Sequence, residues 1–124
     1  MSELNKDKIK PPSWFYCGDR HLNIMHARMR TLCSPLNDHL HSFIHVVDRP
    51  DCPCGYIREN NKHFLLDCPL FTNERNKLFI ELNRINFEPS VRNLLNGDSN
   101  LSEKTNIEAF TLIQLFIKET ERFN

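Results

Sequence analysis

Apolar residues recur at helical spacing in successive stretches of the chain, and prolines and glycines separate those stretches from one another. In "GDRHLNIMHARMRTLC", Leu22, Met25, Met29 and Leu32 stand three or four residues apart behind Asp19, a good cap. The spacing predicts an amphipathic helix whose other face carries Arg20, Arg28 and Arg30. "SPLNDHLHSFIHVV" opens with Ser34 as a cap and Pro35 at the first helical position, and predicts a shorter helix with Leu36, Leu40, Phe43 and Ile44 as its apolar stripe. A third helix is expected in "LFTNERNKLFIELNRI", through Leu70, Leu78, Phe79, Leu82 and Ile85. A brief one in "PSVRNLLNG" is stopped by Asn96 and Gly97, and a last one runs from about Ser102 to Phe123 with Ile107, Phe110, Ile113 and Ile117 in register. Apolar residues on more than one side of this last helix imply burial among the others or against a partner.

No strand-like alternation of useful length appears, so the expected fold is mostly α: a small helical domain with an irregular insert at 50–69. Residues 1–12 are polar, rich in lysine and closed by Pro11 and Pro12, and read as a flexible lead-in to a domain over 13–124.

An apolar fraction of 40% in 124 residues suits one modest core. Sixteen basic and sixteen acidic side chains balance to zero formal charge, so no global field draws the chain to nucleic acid, and such a partner would have to be met by a local cluster. No apolar run nears the roughly 20 residues of a membrane helix, and the start lacks the apolar core of a signal peptide. The expectation is an intracellular protein, cytoplasmic or nuclear, away from membranes. Five cysteines, two of them separated only by Pro53, fit a reducing compartment better than a disulfide framework.

The insert carries the chemistry. "CPCGYIRENNKHFLLDC" places Cys52, Cys54, His63 and Cys68 within one short polar window, with Pro53 and Gly55 shaping a tight turn between the first two donors and the rest. These four residues are the expected zinc ligands, and four protein ligands indicate a structural rather than a catalytic ion. His63 and Cys68 lie five positions apart, so on a helix they reach one ion only if that helix is irregular. The alternative is three buried thiols and a hydrogen-bonded imidazole. However, "GYIRENNK" offers almost no apolar surface, whereas a structural zinc supplies on the order of 10 kcal/mol. Phe64, in the run "FLL", is expected in the core.

The pattern Cys-x-Cys-x8-His-x4-Cys, continued by "PLFTNER", resembles the cysteine-histidine motif at the C-terminal end of non-LTR (LINE-like) retrotransposon reverse transcriptases. The phrase "HFLLDCP", followed by an aromatic residue and a later arginine, carries the likeness, which extends to "GDRHLNIMHARMRTLCSPLNDHL" upstream and "LLNGDSNLS" downstream. The resemblance implies a zinc-knuckle-like module with Cys52, Cys54, His63 and Cys68 as matching ligands. It further implies RNA or DNA as partner, and possibly other parts of a retrotransposon polymerase. No paired-aspartate polymerase signature, nuclease carboxylate cluster or oriented base for Cys17 or Cys33 is present, so neither catalysis nor a small-molecule substrate is expected.

For nucleic acid the candidate contacts are Arg20, Arg28 and Arg30 on the first helix, Arg49, Arg58 and Lys62 around the insert, and Tyr56 as a stacking platform. Asp19, Asp51 and Glu59 offset these cations. His21, His26, His39, His41 and His45 read as surface histidines, although His41 and His45 stand one helical turn apart. Trp14, Phe15 and Tyr16 read as a hydrophobic lid. The competing function is a zinc-stapled helical scaffold for protein–protein contacts. Arginines converging on one face with Tyr56 exposed would favour nucleic acid; an exposed apolar face would favour the scaffold.

Overall fold

A computed structural model of the chain describes residues 11–123. Most of the expected lead-in, residues 1–10, therefore lies outside the described residues. The described chain is mostly helical and contains no strand.

Helix α1, Arg20–Arg30, begins as the sequence predicts: the Asp19 carboxylate accepts the Leu22 N–H at 3.1 Å. It buries Met25 and Met29 and stops before Leu32. There the Cys33 N–H reaches back to the Arg28 carbonyl at 2.8 Å and the Leu32 N–H to that of Met29 at 3.2 Å. This is a Schellman ending in which Leu32, at φ +63°, takes the left-handed position usually given to glycine. Leu32 is accordingly exposed rather than part of the core stripe.

The second helix is shorter than expected. Helix α2 covers only Asn37–His39 and widens into a π turn over Leu40–Ile44, ended by His45 at φ +64°. Ser34 does not cap it; its hydroxyl pairs with His39 Nδ1 at 2.7 Å and accepts the Leu36 N–H at 3.2 Å. The wider turn shifts the side-chain register, so Leu36 is buried while Phe43 and Ile44 face solvent.

Helix α3, Thr72–Arg84, follows a single 3-10 turn at Pro69–Phe71 and buries Arg75, Leu78 and Leu82; Leu70, outside it, is exposed. Helix α4, Val91–Asn96, is capped by Ser90, and α5, Glu103–Thr120, by Ser102. Gly97, at φ +80°, closes α4 where an added Cβ would stand 2.3 Å from Trp14 Nε1.

Helix α5 is the centre of the packing and meets α1, α3 and the 3-10 turn at Ser13–Tyr16. Phe110, Ile113 and Ile117 are buried there as expected, but Ile107 is 37% exposed, turned to the edge of the stripe while its neighbour Asn106 is buried. Phe15 stacks on Phe110 with ring centres 5.9 Å apart, and Trp14 donates to the Asn96 carbonyl at 2.9 Å, so these two form a lid while Tyr16 faces solvent. Phe64 lies fully inside, against Phe71, Phe116 and Phe123.

Two histidines expected on the surface are core residues. His26 Nε2 bonds the Leu94 carbonyl at 2.7 Å and its ring lies 4.5 Å from that of Phe110. His39 is held by Ser34, and burial pushes its pKa down against the pull of Asp38 and Glu59. His26 is buried because α1 packs against α4 and α5, a tertiary contact that periodicity does not register, and His39 because its ring turns back onto Ser34. No described helix is long and apolar enough to cross a membrane.

Candidate metal centre

The insert folds by its own backbone bonds. The Gly55 N–H closes the "CPCG" turn on the Cys52 carbonyl at 2.9 Å, and the Cys52 N–H bonds the Tyr56 carbonyl at 2.9 Å. Gly55 sits at φ +103° with open space around it, so glycine is required there by conformation rather than crowding. The Asn60 side chain then accepts the His63 N–H at 2.9 Å, starting the ligand-bearing turn.

That turn is irregular in the way the five-residue spacing demands. His63–Asp67 is a π turn, and the Cys68 N–H bonds the His63 carbonyl at 2.7 Å. One wide turn thus replaces the ordinary α turn and carries both ligands to the same side. Arg75, itself buried, reaches across from α3 and donates to the carbonyls of Phe64, Leu65 and Cys68 at 2.8–3.0 Å. The Cys68 carbonyl also accepts the Phe71 N–H at 3.3 Å, whereas Arg75 serves the Phe64 and Leu65 carbonyls in place of backbone donors.

All four candidate donors converge: one ligand atom from each of Cys52, Cys54, His63 and Cys68 lies within 4.8 Å of the others. Cys52 Sγ and Cys68 Sγ are 3.7 Å apart, and Cys54 Sγ is 3.2 Å from His63 Nε2. Tetrahedral ligands at a metal–sulfur distance of about 2.3 Å stand about 3.8 Å apart, so the residues fit a single ion. Among the described residues this is the only convergent group of three or more cysteine, histidine or carboxylate side chains, and His41 and His45 belong to none.

Burial without a cation pushes the Cys52 thiol up to about 12 and raises that of Cys68. Burial also opposes the Cys54 thiolate, but the Tyr56 N–H and the neighbouring thiols outweigh it and bring Cys54 below its ordinary value. Desolvation lowers the pKa of His63 and favours the neutral imidazole, the form that ligates a metal. His63 Nδ1 is buried with no protein partner. Its ring plane is fixed instead by Tyr56, which stacks on it at 4.4 Å and 6°.

Sequence reasoning missed the group that closes the centre from behind. Glu59, expected as a surface acid offsetting nearby cations, is 1% exposed. Its carboxylate accepts two bonds from Arg122, at 2.6 and 2.5 Å, and the Asn37 N–H at 2.8 Å. Those bonds raise the pKa of Arg122 despite its burial, and the charges of Glu59, Cys52 and Cys68 act in the same sense. The partners are 63 residues apart, so no local signal links them.

The candidate nucleic-acid contacts are placed unevenly. Tyr56 is half exposed beside the cluster. Arg58 pairs with Asp38, Lys62 with Asp67 at 2.7 Å and Arg49 with Asp51 at 2.8 Å. Arg20 and Arg28 are exposed and form no ion pair among the described residues. Arg30 is a correction: its Nε donates to the Leu95 carbonyl at 2.7 Å and its guanidinium lies 3.8 Å over the Phe15 ring. It is a packing residue because the last turn of α1 faces α4 and the aromatic lid.

No family model, no curated protein and no solved structure matches this chain. Fold and site together define a small helical domain holding a group of three cysteines and a histidine that could bind a metal ion.

Proposed function

We propose that the chain is a non-catalytic zinc module of the kind found at the C-terminal end of LINE-like reverse transcriptases, and that it assists the binding of RNA or DNA. The convergence of the four donors carries the metal part of this reading. Three thiolates and an imidazole are a soft, borderline set suited to zinc, and four protein ligands leave no open position for substrate. Zinc here supplies folding free energy and nothing else. The direct test is elemental analysis of protein purified without chelator, with one zinc per chain expected; absence of stoichiometric zinc refutes the assignment.

The nucleic-acid part rests on the sequence resemblance, on Tyr56 standing exposed against the ligand His63, and on the exposed cations Arg20, Arg28, Arg58 and Lys62. Contacts to three or four phosphates give a slope of log affinity against log salt of about −2 to −4. Arg28→Glu should weaken binding to all sequences alike, since phosphate contacts position without specifying. Zinc-loaded, folded protein that binds neither RNA nor DNA at low salt refutes this part. The scaffold reading then stands in its place, favoured by the exposed apolar side chains of Phe43, Val46 and Ile57.

A further inference from the structure

The segment between the two halves of the metal site is tied to the far end of the described chain. Glu59 lies between Cys54 and His63, and each of its polar groups is engaged. Its N–H bonds the Pro50 carbonyl at 2.7 Å, its carbonyl accepts the Asp38 N–H at 3.0 Å, and its carboxylate takes Asn37 and Arg122. Arg122 follows α5, and its guanidinium also donates to the Pro35 carbonyl at 3.1 Å. The next residue, Phe123, packs on Phe64 with ring centres 5.4 Å apart, and Phe64 directly follows the ligand His63. The strap after α5 therefore touches the ligand-bearing chain on both sides of the Asn60–His63 bend.

We propose that Arg122, acting through Glu59, is a positioning residue of the metal centre: it latches the ligand loop closed, and retention of the ion depends on it. This inference rests on the metal reading above. A buried carboxylate that loses its one cationic partner among the described residues carries a large desolvation cost, and the loop offers a cheap escape. "GYIRENNK" has little apolar surface to hold it, so Glu59 can swing into water, and the chain that swings with it carries Cys54 away from His63. A second charge argument points the same way. Three thiolates around a divalent ion leave a net negative centre, and Arg122 is a half-buried cation within its field. By linkage, whatever closes the loop retains the ion, and the ion in turn fixes Arg122.

A merely structural ion pair would stabilise metal-free and metal-loaded protein equally; a latch acts on the loaded form. The test is the rate at which zinc passes from the full chain to an excess of a chelating dye. Arg122→Gln should release zinc about 10–100-fold faster than wild type, the range typical of residues that support metal ligands. Arg122→Lys, which keeps the charge but not the two-pronged geometry, should fall between. Melting of the chelator-stripped protein should be the same for all three. Equal release rates, or equal melting losses in both forms, overturn the latch while leaving the metal site standing. Wild-type protein that takes up no zinc overturns both. Should Arg122→Gln not fold, the wild type still decides: the NMR signal of the Arg122 Nε–H should be protected with zinc and lost on stripping, and a signal unchanged by stripping overturns the proposal.

Discussion

His26→Gln isolates the cost of burying a titratable ring beside Phe110. The ring is fully buried, and burial, with a smaller contribution from Arg30, holds its pKa down from 6.5 to about 4 against the favourable bond to the Leu94 carbonyl. An unfolded chain therefore takes up this proton as pH falls through 6.5, while the folded chain refuses it until about 4. The stability tied to the neutral ring is complete above the unfolded value and drains away across that window. At roughly 1.36 kcal/mol per pH unit the whole displacement is worth about 3 kcal/mol, of which about 2.5 kcal/mol is lost by pH 4.5. Glutamine keeps a donor for Leu94 and removes the titration. At neutral pH the variant should be the less stable, because its side chain leaves space against Phe110. Urea unfolding of both proteins from pH 7.5 to 4.5 should show the gap closing by about 2.5 kcal/mol. Proton uptake at the cysteine site and at His39 is common to both proteins and cancels in the difference. A gap that stays constant across this range refutes the argument.

Three further outcomes are expected. Phe110→Ala should cost about 3–5 kcal/mol in urea unfolding, since the ring is fully buried between Phe15 and His26; a cost below 1 kcal/mol would place it at the surface. Arg75→Met should keep most of the packing but strand the Phe64 and Leu65 carbonyls and weaken the hold on that of Cys68, costing at least about 2 kcal/mol, with hydrogen exchange rising first at the Cys68 amide. Cys54→Ser should abolish stoichiometric zinc and raise exchange over 52–68, while circular dichroism retains most of the signal of α3 and α5, which pack directly on each other.

The parts of this fold that the sequence reveals are those set within a few residues. Asp19 and Ser102 cap their helices where the pattern places them, Gly97 closes α4, and the core stripe of α5 is right from Phe110 onward. The convergent cluster is equally local: spacing alone groups Cys52, Cys54, His63 and Cys68, and the irregular turn between His63 and Cys68 is readable from a separation that an α-helix cannot serve. What is not readable is how a helix ends or widens, and which distant partner a polar side chain meets. Leu32 continues a helical pattern in sequence but is turned aside because Cys33 bonds back to Arg28. Phe43 and Ile44 leave the core because α2 widens after His39. Arg30, His26 and Glu59 read as surface polar residues, and each is instead consumed by a carbonyl, a ring or a countercharge that periodicity does not register.

The same buried polar residues define what the proposed ion would contribute to this chain. Between Leu36 and Phe64 the only buried hydrophobic residue is Cys52; the other buried side chains there are Asp38, His39, Glu59, Asn61 and His63. Burial of apolar area therefore contributes little to ordering the segment, whereas fixing the backbone costs about 1–2 kcal/mol per residue. Neutral hydrogen bonds return only about 1 kcal/mol each in net terms, which does not meet that cost over so many residues. A metal ion can, because its ligands are absent as a preformed set from the unfolded chain and its binding energy is folding energy. The two buried histidines and two buried acids in this segment follow a consistent division: His63 joins the cysteines at the convergent cluster, while Asp38, His39 and Glu59 pair with Arg58, Ser34 and Arg122 to hold the outer wall. On the proposed zinc reading the wall and the ion stabilise each other, so the two are expected to be gained or lost together.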